Sequence, residues 1–234
     1  MVLINLSQQV EIINVDLGGT IMEHIFENIM IGCMNFPFFA VLLTVPILAV
    51  QMIKYKTLNW VRIILNYAAV LYGLCVFALV FLPIPDVNKA AALSTYDIQI
   101  VPFSFVSDII KESPFVLTDI RTYIPTLFNR AILQVIFNVA MTIPFGMLLR
   151  YYFGTSVNKI VCYSFILSLF IETAQLTGMF FMFSGSYRLC DVNDLIANTL
   201  GGFLGGKIIN ACHFLPQISS FDHHSSKAKI VVAR

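Results

Sequence analysis

Between residues 29 and 52 the chain carries no charged side chain, and the same holds for 63–82, 131–149 and 160–171. In hydrocarbon a backbone must satisfy its own N–H and C=O groups, so an apolar run of about 20 residues reads as a helix crossing a bilayer. Five spans are read, at 29–52, 60–82, 131–149, 159–182 and 195–214. Composition agrees, with 58% hydrophobic and 12% charged residues, against about 25% charged in soluble chains. The fold class expected is an all-α polytopic membrane protein, a bundle of about five transmembrane helices in the lipid bilayer.

Basic residues set the orientation, because Lys and Arg collect on the cytoplasmic side. If the spans alternate, Lys54, Lys56, Arg62, Arg150, Lys159, Lys207, Lys227, Lys229 and Arg234 share one side. Lys89, Lys111, Arg121, Arg130 and Arg188 take the other. The nine-to-five count places the N-terminus outside and the C-terminus inside. The organisation expected is an outer amphipathic lead-in at 1–28, two packing helices within 29–82, a long outer loop at 83–130, a three-helix core at 131–215 and a cytoplasmic tail at 216–234. In the lead-in, Ile21, Met22, Ile25 and Ile29 share a face opposite Glu23, His24 and Glu27. Within the outer loop, the alternation after Asp97 is strand-like and "FVSDIIKE" is helical, so short surface helices are expected there, in position to form a lid.

A net charge of +1 without a basic cluster argues against a nucleic-acid partner. Cysteines stand at 33, 75, 162, 190 and 212 with no Cys-x-x-Cys pair, which disfavours a disulfide framework or a zinc site.

Polar side chains are costly inside a membrane and turn toward partners or water. Here three spans each carry them on one helical face. Gln134, Asn138, Thr142, Gly146 and Arg150 recur every fourth residue; Ser164, Ser168, Glu172 and Gln175 form a second stripe. Asp191, Asp194, Asn198, Gly201 and Gly205 form a third. Three stripes on consecutive helices imply one shared interior seam. For Glu172 two readings stand: a protonated or paired residue that joins helices, or an acid facing a polar cavity open to the outside. Asp191 and Asp194 fit an N-cap and first turn of the last span. Gly201, Gly202, Gly205 and Gly206 make two small-xxx-small pairs suited to close helix approach.

The stretches "IVPFSF" (100–105), "FNVAMTIPFGMLL" (137–149), "SLFIETAQL" (168–176) and "RLCDVNDLIANTLGGFLGG" (188–206) together resemble the VanZ-like membrane family. The resemblance covers residues 98–208 and makes 131–215 a VanZ-like core. It implies a bacterial plasma-membrane protein of a family whose namesake is linked to low-level teicoplanin resistance, and it carries over no reaction. The matching positions are Asn138, Pro144, Gly146, Glu172, Gln175, Arg188, Asp191, Asp194 and Asn198.

The sequence lacks a His-Glu-x-x-His motif, a Gly-x-Ser-x-Gly elbow and a phosphate-binding Gly-rich loop with its Lys-Ser/Thr. Glu172, Arg188, Asp191, Asp194, Asn198, Gln175 and Asn138 remain as candidates for an outward-facing pocket. Asp191 and Asp194 suit a hard divalent cation, although no cofactor is called for, and Arg188 suits a phosphate or carboxylate. The first expectation is binding, with modification or relocation as further options, of a lipid-linked envelope precursor or a lipophilic glycopeptide. A non-catalytic scaffold acting through a partner protein and a small proton-coupled transporter are the alternatives.

Overall fold

The structure, a computed structural model, describes residues 2–82, 98–112, 116, 118–183, 186, 188–216 and 218, and of residues 2–21, 112, 124 and 125 the backbone alone. Its long helices are α1 (Val2–Tyr55), α2 (Trp60–Phe81), α5 (Arg130–Tyr151), α6 (Val157–Leu176) and α8 (Val192–Ala211). Between α2 and α5 lie strand β1 (Ile98–Gln99), α3 (Ser104–Glu112), a 3-10 turn (Ile120–Thr122) and α4 (Tyr123–Leu127). A short turn, α7 (Gly178–Phe181), and strand β2 (Cys190–Asp191) join α6 to α8. Residues 83–97, 113–115 and 117 of the expected outer loop, and 217 and 219–234 of the tail, fall outside the described residues.

Four helices are long and apolar enough to cross a membrane: Met22–Tyr55 within α1, then α2, α5 and α6. The chain is therefore a helical membrane protein. In the fifth expected span, α8 has 20 residues, the length of a crossing helix, but its glycines and polar residues keep it less apolar than the others. The expected lead-in is not a separate helix, because α1 runs unbroken from Val2 to Tyr55. Neither Pro37 nor Pro46 ends it. The fourth span stops at Leu176, short of residue 182. Gly178, Met179, Phe180 and Phe181 take positive φ there, a conformation that cannot continue a right-handed helix.

Burial is reversed relative to a soluble core. Gln51, Asn59, Asn129, Ser164, Ser168 and Asn198 are among the most enclosed side chains. Phe165, Ile166, Leu169 and Phe170 on α6, and Phe38, Val41 and Val45 on α1, face outward. Apolar side chains lose little by facing lipid, while an amide needs a partner inside the protein.

Helix α8 is wedged between α5 and α6, and its glycines explain how. A Cβ at Gly201 would lie 2.1 Å from Thr142 Oγ1, and one at Gly205 2.1 Å from the Ile143 carbonyl, both on α5. A Cβ at Gly202 would fall 1.8 Å from Ser164 Oγ, and one at Gly206 3.0 Å from Ile160 Cδ1, both on α6. One glycine pair thus seats each neighbour, as close approach in a membrane requires.

The upper end of the bundle is the one where α2 and α6 finish and α5 and α8 begin. Caps start the helices: Asn129 Oδ1 accepts from Ala131 N at 2.8 Å, and at the lower end Asn59 Oδ1 accepts from Val61 N and Arg62 N. The lower end is also tied to the chain after α8. Asn59 Nδ2 donates to the Ile218 carbonyl at 2.8 Å, and the Tyr151 hydroxyl to that of Pro216 at 2.9 Å.

Candidate functional site

The three polar stripes meet at the upper end. Glu172, one turn before the end of α6, is 2% exposed, and its Oε2 accepts the backbone N–H of Asp191 at 3.0 Å. One turn deeper, Ser168 Oγ accepts from Asn198 Nδ2 at 2.9 Å. Asp194 accepts from Gln134 Nε2 at 3.1 and 3.4 Å, joining α8 to α5. Asp191 caps α8, its Oδ1 accepting from Asn193 N at 2.8 Å.

The other candidates hold the site to α2. Gln175 Nε2 donates to the Val80 carbonyl at 3.2 Å. Arg188 donates to the carbonyls of Leu79 and Leu82 at 3.3 and 2.8 Å. A cation at these carbonyls also suits the negative end of the α2 dipole. The Arg188 guanidinium is therefore engaged by backbone, while the Glu172, Asp191 and Asp194 carboxylates lie within one another's electrostatic reach.

Above this cluster lies the segment 98–112. β1 pairs in parallel with β2, with Ile98 opposite Cys190 and Gln99 opposite Asp191. Asn193 fastens the turn after β1. Its Oδ1 accepts from Phe103 N at 2.6 Å, and its Nδ2 donates to Ser104 Oγ at 2.8 Å and to Asp191 Oδ1 at 2.7 Å. Phe103 is held at φ 61, a left-handed conformation costing a non-glycine residue about 1–2 kcal/mol. In this arrangement the cluster is closed over, with Glu172 and Asn198 both buried.

In the seam, Asn198 Oδ1 on α8 and Ser164 Oγ on α6 are enclosed without a hydrogen-bond partner, while the Asn138 amide on α5 faces the Asp194 carboxylate. Buried polar atoms of this kind are uncommon, and each calls for an explanation such as an unfilled ligand position. Burial first, and the neighbouring Glu172 carboxylate next, push the Cys190 thiol up to about 11. It is a neutral thiol at pH 7 rather than a nucleophile. Among the described residues no group of three or more His, Cys, Asp or Glu side chains is arranged to hold a metal ion. Asp191 and Asp194, the pair suited by type to a divalent cation, serve different donors on different elements.

The structure thus brings together all seven candidates, with Arg188 and Gln175 at the α2 edge and Asn138 at the α5 side. Gln134 and Ser168 were visible as members of the stripes. Asn193 and Ser104 were not singled out as site residues. The signal for Asn193 was local, an amide two residues after an N-cap aspartate, but its main partner is 90 positions away in sequence.

A family model described as VanZ/LLP1 matches residues 69–213, more than half of the chain. It takes in α5, α6 and α8, the segment 98–112 and most of α2. Comparison with curated proteins and with solved structures gave no match.

Proposed function

We propose, for a chain that belongs to the VanZ/LLP1 family, that the upper cluster binds the head group of a lipophilic or lipid-linked cell-envelope compound. The segment 98–112 acts as its lid. Through that compound the protein would influence susceptibility to teicoplanin-type glycopeptides at the bacterial plasma membrane. The observation that carries the reading is the enclosed, unpartnered Asn198 Oδ1 in the seam below Glu172. A ligand entering between the lid and α8 would meet carboxylate and amide acceptors first. A head group rich in hydroxyl or ammonium donors suits them, whereas an anionic one would require Arg188 to leave the carbonyls of Leu79 and Leu82.

Protein purified from its native membrane and examined by mass spectrometry tests this reading. The wild type should carry a stoichiometric amphiphile, and Glu172→Gln and Asn198→Leu should each lower its retention about tenfold, the effect of losing one charge-assisted or two neutral hydrogen bonds. Equal retention in correctly folded variants would defeat the reading. A second reading, a non-catalytic scaffold, is favoured by the engagement of Glu172 and Arg188 with backbone groups of neighbouring elements. In that case the variants would change helix packing and the partner complex, with no amphiphile lost.

A further inference from the structure

A groove of about 290 Å³ lies in the lower half of the bundle, away from the carboxylate cluster, and is lined by Leu65, Ala68 and Ala69 of α2, Pro144 and Met147 of α5, and Ile209 of α8, among others. Both tyrosine hydroxyls at its wall are engaged elsewhere. Tyr72 donates to the Met141 carbonyl at 2.7 Å and Tyr151 to that of Pro216 at 2.9 Å. The lining therefore presents carbon, and its helices α2 and α5 are both membrane-crossing candidates. At about 30 Å³ per small group, the share of one water in the liquid, the groove accommodates about ten methylenes.

Charge specifies the rest of the occupant. Arg150 lies one turn beyond Met147, toward the lower end. The named partners of Arg150 are neutral: Asn210 Oδ1 and the carbonyls of Gly154 and Thr155. Lys54, Lys56, Arg62 and Lys159 belong to the same end, while no Asp or Glu occurs within 28–82, 120–171 or 195–221. An apolar slot that ends at excess positive charge matches a hydrocarbon tail joined to a phosphate.

We propose that this groove is a binding site for one acyl chain of an anionic phospholipid, whose head group rests near Arg150. It is separate from the upper cluster and does not depend on its ligand.

The test is incubation of the full-length protein with vesicles of equal phosphatidylglycerol and phosphatidylcholine, detergent extraction, and native mass spectrometry. The wild type should retain one phosphatidylglycerol per chain, preferred over phosphatidylcholine about fivefold, as one nearby cation would give. Ala69→Phe fills the groove and should abolish retention. Ala68→Phe acts at an exposed position and should weaken retention while leaving folding intact, so it decides the matter if Ala69→Phe does not fold. Arg150→Gln should remove the head-group preference. Equal retention of both lipids by the wild type, or retention unaffected by Ala68→Phe, would overturn the proposal.

Discussion

Replacing Asn193 with alanine should loosen the segment 98–112 without unfolding the bundle. The substitution removes the acceptor of Phe103 N–H and the donor to Ser104 Oγ, the two bonds through which Asn193 holds this segment to α8. It also removes the donation from Asn193 Nδ2 to Asp191, but the backbone bond that caps α8 remains. At about 1 kcal/mol net per hydrogen bond, the closed position loses about 2 kcal/mol, a shift in the opening equilibrium of about 30-fold. The left-handed strain at Phe103 works in the same direction, because it is relieved on opening. Hydrogen–deuterium exchange in nanodiscs reads the effect directly. Amides of β1 and of Phe103 should exchange about 30-fold faster, with the lower half of α8 unchanged. Asn193→Asp keeps an acceptor for Phe103 and should fall between the two. Unaltered exchange over 98–112 in a folded Asn193→Ala protein would refute the view that this side chain holds the lid.

Gly205→Val should lower the thermal midpoint in detergent sharply, since its Cβ would lie 2.1 Å from the Ile143 carbonyl and overpacking costs about 1–3 kcal/mol or more. Gly73→Ala, with open space around the added Cβ, should instead be neutral or raise the midpoint slightly, and a midpoint as low as that of Gly205→Val would contradict the packing argument. Arg188→Met should destabilise by about 3–6 kcal/mol before any new packing, because each of the two lost charged hydrogen bonds at the end of α2 is worth about 1.5–3 kcal/mol; an unchanged unfolding midpoint would count against its bracing role. In a protein whose other four cysteines are serine, alkylation of Cys190 should be slow at pH 8 and rise about tenfold per pH unit toward its raised value near 11. A raised thiol pKa lowers the thiolate fraction below that point, so a rate that levels off above pH 9 would show the thiol to be unperturbed.

What the sequence made legible is what repeats within one helix. The stripes of Gln134 to Arg150, Ser164 to Gln175 and Asp191 to Gly205 are local periodicities, and the structure sets Gln134 against Asp194 and Ser168 against Asn198. The paired glycines carry the same information, since absence of a side chain every fourth residue marks a contact face before the neighbour is known. Pairings between distant segments leave no such trace. Ile98 meeting Cys190, or Phe103 meeting Asn193, depends on where two loops arrive after the helices pack. Arg188 shows the same limit: its charge pointed to an anion, but the nearest acceptors are carbonyls at the end of α2. The unbroken α1 was concealed for another reason. Polar residues around 23–27 look like an interfacial boundary by composition, yet nothing in them interrupts helical hydrogen bonding.

The glycine faces of α8 bear on how the protein is made. With four glycines, Lys207, Asp194 and four asparagine or threonine side chains among its residues, α8 offers the bilayer little of the hydrocarbon that retains a lone segment during insertion. Its stability in the membrane comes from contacts that exist only once α5 and α6 are in place. Because α8 follows α5 and α6 in the chain, it would dock into the slot between them. The carboxylate cluster would therefore be complete only when α8 has docked.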